Sequence, residues 1–317
     1  MSRRLITAAA LMCAFALAGC AGQVDLSKSV SNRTTVKAGG GFGDDALRQI
    51  EPCGLLNKDV VAAVGKASND TASRTGYSEC SLYVTDTTGK VKIGLGVKVG
   101  ESLFDAPKQT NKQINGLVIV ESRTSSGCSE SAVTGRDPDR GVTVSATADS
   151  GDTCDWAGKA INAVINLMAT NPPKYPATPG SLVTRDPCAD LDDKTAAGIL
   201  GKAAVKSAYG IRSCSYTPGS SGVTITVSYD IASDPYTLNS SSKPVKVDLT
   251  DKVKGAAQWK DSISDNKCDI GWAQRQLNGG KGENVEVSFE RSQPVAGEDV
   301  CAVAKTAAVA VAGKVSA

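Results

Sequence analysis

Cysteine is the residue type in this chain with the most chemistry to offer, and its spacing repeats. Cys53, Cys80, Cys128 and Cys154 recur as Cys188, Cys214, Cys268 and Cys301, with similar intervals and similar neighbours. Thiols can ligate zinc, act as nucleophiles or oxidise to disulfides. The close Cys-x-x-Cys pairs usual in zinc sites are missing from both sets. The chain has no histidine, which removes Cys-His and Ser-His-Asp nucleophile pairs and the His-based zinc motifs. Oxidation is left, and an even set of cysteines in an exported chain reads as disulfides. No metal and no cofactor are expected.

Other candidate constellations carry little. Ser240-Ser241-Ser242-Lys243, Ser264-Asp265-Asn266 and Lys305-Thr306-Ala307 follow the order of motifs in penicillin-recognising serine enzymes. Ser240, however, lies in a polar Asn/Ser run with no helix to present it, and the first two motifs stand too close together. They read as turn residues. Gly94-Leu95-Gly96 sits inside an alternating strand and opens no helix, so it is no dinucleotide loop. Asp137-Pro138-Asp139 and Asp149-Ser150-Gly151-Asp152 offer oxygens to calcium, but turn chemistry accounts for them. Trp156, Trp259 and Trp272 read as core anchors in a chain with 4% aromatic residues. No catalytic residue is assigned, and the chain is not expected to be an enzyme.

Cys20 has a chemistry of its own. Arg3 and Arg4 precede an apolar run from Leu5 to Leu17, which ends in Leu17-Ala18-Gly19-Cys20. This is the layout of a secretory signal peptide, too short for a transmembrane helix of about 20 residues. Leu-Ala-Gly-Cys resembles the bacterial lipobox, so Cys20 is expected to be diacylated and to become the mature N-terminus. Two acyl chains anchor stably where one holds only marginally. Cys13 would leave with the peptide, and Ser2-Arg3-Arg4-Leu5-Ile6 resembles a twin-arginine signal only weakly.

The elements that must position the eight cysteines also repeat. Glu51-Pro52-Cys53 and Asp186-Pro187-Cys188 open the two copies. Asn57 then caps a helix over 58–64 ending at Gly65, and Asp192 caps one over 193–200 ending at Gly201. Strand alternation follows at Val91, Ile93, Leu95, Val97 and Val99, and at Val223, Ile225, Val227 and Tyr229. Further strands are expected at 117–120 and 142–144, and at 245–249 and 285–287. Terminal helices are expected over 156–168 and 302–315. Strands in a run, flanked by helices, argue for an α+β fold with an antiparallel sheet in each copy.

In each copy the first and fourth cysteines fall at helix starts and the second and third in or near strands. Pairing first with second and third with fourth would tie each helix to its sheet. The expected bonds are Cys53–Cys80, Cys128–Cys154, Cys188–Cys214 and Cys268–Cys301. Each would contribute roughly 3–4 kcal/mol in the chain-entropy model.

The Glu/Asp-Pro-Cys openings, Cys80-Ser81-Leu82-Tyr83 and Cys214-Ser215-Tyr216, and the aspartates two residues before Cys154 and Cys301 carry a resemblance. Their joint order resembles a family of secreted actinobacterial lipoproteins with a cysteine-containing domain of unknown function. The resemblance covers about 50–171 and 184–315, plus the lipobox. It is similar in setting to the cysteine-bonded extracellular sensor domains of mycobacterial serine/threonine kinases. Two copies rather than one, and Glu51 in place of the usual Asp, are departures from the pattern. The resemblance implies an envelope address and brings no catalytic residues.

The expected organisation is a signal peptide over 1–20, a flexible Ser/Thr/Gly-rich tether over 21–49 and a first domain over 50–171. A proline-rich linker over 172–183 and a second domain over 184–317 follow. With 35 Lys and Arg against 33 Asp and Glu the net charge is +2, and no one-sided basic face suggests nucleic acid. The expected location is the extracytoplasmic face of the cell membrane, through the diacylglyceryl anchor at Cys20. The expected role is non-enzymatic binding of an envelope protein or polymer, the alternative being an extracytoplasmic carrier or sensor of a small molecule or lipid.

Overall fold

The computed structural model describes residues 41–68, 70–103, 108–136, 139–219, 222–260 and 265–316. The signal peptide, Cys20 and tether residues 21–40 lie outside the described residues. In the first half the chain runs α1 (Asp44–Arg48), α2 (Pro52–Leu55), α3 (Lys58–Val64), β1 (Gly65–Ala67), β2 (Ser73–Thr75) and β3 (Glu79–Asp86). It continues with β4 (Lys92–Ser102), β5 (Lys108–Ile114), β6 (Leu117–Arg123), β7 (Gly127–Gly135), β8 (Arg140–Thr147) and α4 (Thr153–Thr170). The second half has α5 (Pro187–Asp190), α6 (Asp193–Leu200), β9 (Val205–Ala208), β10 (Ser213–Thr217), β11 (Val223–Ser233) and α7 (Pro235–Leu238). It closes with β12 (Val245–Val247), β13 (Ala256–Lys260), β14 (Lys267–Gln276), β15 (Lys281–Arg291) and α8 (Val300–Val315).

The fold is α+β, with one antiparallel sheet in each half. The sheet orders are β1-β3-β4-β8-β7-β6-β5, with β2 also on β3, and β12-β13-β14-β15-β11-β10-β9. Read from the other edge, the second order superimposes on the first strand for strand. The duplication seen in the cysteines therefore extends to topology.

Local chemistry explains the elements. Asn57 Oδ1 accepts from the amides of Asp59 and Val60 at 2.9 and 3.0 Å and starts α3. Asp192 accepts from Thr195 N at 2.9 Å and starts α6, which ends at left-handed Gly201. Gly65 follows α3 but is extended, entering β1 directly. Glycine is needed there because a Cβ would come within 1.9 Å of Thr85 O on the paired strand.

Asp152 and Asp299 cap the two terminal helices. Each helix lays an apolar stripe on its sheet, Ala157, Ala160, Ile161, Val164 and Ile165 in α4 and Ala304, Ala307, Ala308 and Val311 in α8. Opposite them, Ile93, Leu95, Val97 and Val99 of β4 and Ile225, Val227, Tyr229 and Ile231 of β11 are buried by alternation. Burying a large aliphatic side chain contributes roughly 1.5–3 kcal/mol. Disulfides join Cys53 to Cys80, Cys128 to Cys154, Cys188 to Cys214 and Cys268 to Cys301, closing separations of 27, 26, 26 and 33 residues. Each links a helix start to a strand.

Two segments read as connectors belong to the fold. The end of the expected tether is folded: α1 docks, with Phe42 and Leu47 buried in the first core. Phe42 just before α1 and Leu47 within it supply two large apolar side chains, which outweigh the glycines around them. The proline-rich linker is also held down. Ile50 bridges Lys174, Glu51 N donates to Pro173 O at 3.0 Å and Tyr175 N donates to Gln49 O at 2.9 Å. Leu182 and Val183 at its end enter the second core.

Candidate functional site

The two halves belong to one compact unit, and the residues that join them come in equivalent pairs. Tyr77 stands three residues before Cys80, and Ile211 three before Cys214. Tyr77, from the first half, is buried in the second core, and Ile211, from the second half, is buried in the first. Each half thus inserts one side chain into the other's interior. Ile211 N donates to Gly100 O at 3.0 Å, and Tyr77 N to Asp230 Oδ1 at 3.3 Å. Gly100 is left-handed at a bulge in β4, and a Cβ there would meet Ile211 Cδ1 at 2.6 Å. The socket for Ile211 therefore requires glycine.

Two buried arginines hold the seam. Arg212 Nη1 donates to Leu182 O at 3.2 Å and Val183 O at 2.8 Å, and Nη2 donates to Arg48 O. Its guanidinium lies over the Tyr77 ring, 4.4 Å from the centroid. Burial pushes Arg212 down to about 10, so it stays charged at neutral pH. Arg48 Nε donates to Ile211 O at 3.3 Å, and the same side chain pairs with Asp186 at 3.2 Å. Tyr175, from the former linker, donates its hydroxyl to Tyr77 O at 2.9 Å, with the two rings edge to face at 5.9 Å.

Beside this seam lies an open cleft of about 470 Å³, lined from both halves. Glu79, Lys98 and Glu101 line it from β3 and β4, and Ser228, Asp230 and Glu286 from β11 and β15. All are polar positions on the strands, the alternates of the buried Val97, Tyr229, Val285 and Val287. Burial pushes the Glu286 carboxyl up to about 7, with Asp269 and Asp230 adding to the rise and Lys267 opposing it. Burial also raises Glu101, against the Ser78 hydroxyl and Lys98, and raises Asp230, against the amides of Ile231 and Tyr77. Glu101 and Glu286 are half-buried and Asp230 is exposed, and carboxylates so placed can form ion pairs and charge-assisted hydrogen bonds.

The sequence-expected residues fall elsewhere. The eight cysteines staple each half away from the cleft wall. Glu121 lies near Cys128 and Cys154, but these two sulfurs are bonded to each other and are not thiolate ligands. Asp152 is occupied as the cap of α4. Ser240 is exposed in a single 3-10 turn and Lys305 lies along α8, while Ser264 is outside the described residues. Trp259 and Trp272 are buried, and Trp156 packs partly buried against the first core. Glu101, Asp230 and Glu286 were not singled out from sequence, because at alternating positions they look like ordinary solvent-facing residues. The one signal was a difference between the copies: Glu286 stands where the first has Thr143.

Among the described residues, no helix is long and apolar enough to cross a membrane. No protein-family model matches the chain, and no curated protein matches it either.

Proposed function

We propose that the protein is a non-enzymatic, lipid-anchored cell-envelope protein that binds an envelope protein or polymer through the cleft between its halves. Diacylated Cys20 would hold it on the extracytoplasmic face of the membrane. The lipobox and the resemblance to secreted actinobacterial lipoproteins support that address. The observation that carries the binding reading is the shared cleft, a concave polar site that neither half makes alone. Its lip includes Leu238, one of the most exposed large apolar side chains of the molecule at 59%. The proline-rich segment expected as a linker is docked through Pro173, Lys174 and Tyr175, so the two halves act as one binding unit. A second reading, an extracytoplasmic carrier or sensor of a small molecule, is favoured by the cleft volume of about 470 Å³, which suits a ligand-sized site.

Photo-crosslinking in the native-type host tests this. A benzophenone amino acid at Leu238 should capture a defined envelope component, while the same group at exposed Tyr83, on the first sheet, should not. Equal capture at both positions, or none at Leu238, would defeat the cleft reading. In parallel, Cys20→Ala should move the protein out of the membrane fraction.

A further inference from the structure

β14 is longer than one of the strands beside it. On one side it pairs with β15 along its length, as far as Gln276 opposite Gly282. On the other, its pairing with β13 stops at Gly271 opposite Ala257, which leaves Trp272 to Gln276 as a sheet edge. The chain ahead of β13 does not cover that edge. The Leu249 and Thr250 amides donate to Val253 O at 3.1 and 3.3 Å. Gly255, in the left-handed region, turns its amide to Asp248 Oδ1 at 2.9 Å.

Register identifies the backbone groups left over. Asn266 O accepts from Arg291 N at 3.0 Å, so by alternation Cys268, Ile270 and Trp272 turn their N–H and C=O towards β15. Gly271 and Ala273 turn theirs to the other side, where Gly271 meets Ala257. Ala273 meets no strand there among the described residues. After the bulge between Ala273 and Arg275, Leu277 N donates to Lys281 O at 2.8 Å, which puts the Gln276 backbone on the open side as well. A second observation falls on the same edge. A cavity of about 400 Å³ opens against Gly271, Ala273 and Gln276, and its charged lining residues are Lys252, Lys254 and Asp234. Asp234 is engaged as the cap of α7, accepting from Tyr236 N at 2.9 Å. The Lys254 side chain is 57% exposed, with its nearest acid, Asp251, at 3.5 Å. The charge left to a ligand is therefore positive.

We propose that this edge takes an extended segment of a partner protein, which adds as a short strand beside Ala273 and turns an acidic side chain to Lys254. An N–H and a C=O presented together at strand spacing are matched by another polypeptide backbone, the basis of recognition by strand addition. The small side chains of Gly271 and Ala273 leave room for it, and the bulge keeps the added strand short. The inference does not rest on the cleft between the halves, which capture at Leu238 tests separately.

Hydrogen exchange of the full chain in mild detergent, with the peptide acetyl-Glu-Val-Thr-Val-Glu-amide at millimolar concentration, tests this. The peptide should slow exchange over Trp272 to Gln276, and the same peptide N-methylated at alternate residues, which lacks the matching donors, should not. Ala273→Pro removes the N–H of the open edge without touching a bond to β15 and should abolish the protection, while Ala273→Ser should keep it. Lys254→Glu should weaken the peptide about fivefold, the reversal of one exposed charge. No protection, or equal protection by the N-methylated peptide, would overturn the proposal, and this comparison holds even if Ala273→Pro fails to fold. An unchanged affinity in Lys254→Glu would overturn it too. Protection that rises with protein concentration in the absence of peptide would make the occupant a second copy of this chain, and would likewise overturn it.

Discussion

Glu286 and Ile211 show how much a single side chain settles here. The Glu286 carboxyl, with an ordinary value of 4.5, is held up to about 7 by burial and by Asp269 and Asp230. Between those values the folded state binds more protons than the unfolded chain. Its contribution to stability is full below about 4.5 and is lost as pH rises through about 7. Glu286→Gln should therefore match the parent near pH 4 and exceed it near pH 8, by about 1–3 kcal/mol. Thermal unfolding across that pH range checks it, and a difference independent of pH would contradict it. Ile211 belongs to one half and fills the other. Ile211→Ala should cost about 2–4 kcal/mol as a large-to-small core change. Hydrogen exchange should show the loss of protection in β4, in the first half, as well as near β10.

At the scale of elements, much was legible. Asn57, Asp192 and the glycines bounded helices, the alternating valines and isoleucines gave β4 and β11, and the cysteine order matched helix starts to strands. These signals are local, and each needs only a few neighbours to be read. What was not legible depended on burial by distant residues. Phe42 and Leu47 sit in a glycine-rich stretch without sustained periodicity, so α1 was read as tether. Tyr77 and Ile211 lie in turns before β3 and β10, where nothing in the pattern marks a residue destined for the opposite core. Glu286 looks solvent-facing in the pattern and is half-buried only in the folded cleft, while Asp230 lines that cleft and stays exposed. The docking of α1 makes its own prediction: Leu47→Ala should lower stability by about 2–4 kcal/mol, measured by denaturant unfolding. A surface tether would give a change near zero.

Across the whole molecule, duplication produced one body rather than two tethered ones. Equivalent turns exchange Tyr77 and Ile211, Arg48 and Arg212 tie backbone carbonyls across the seam, and the strand faces beside the seam become a shared acidic cleft. The copies need not be alike in function for this. Glu286 stands where the first copy has Thr143, and among the described residues only the second copy has a segment like α7 with Leu238, so the cleft is asymmetric although the fold is repeated. The cleft is the central claim, and blocking it is the most direct test. Ser228→Trp would fill it from β11, where Ser228 is half-buried on the wall. The measurement is capture of the envelope component by the Leu238 crosslinker in this variant, with thermal unfolding recorded alongside. The account predicts lost capture with unfolding unchanged. Capture at the parent level by a folded, plugged protein would contradict it.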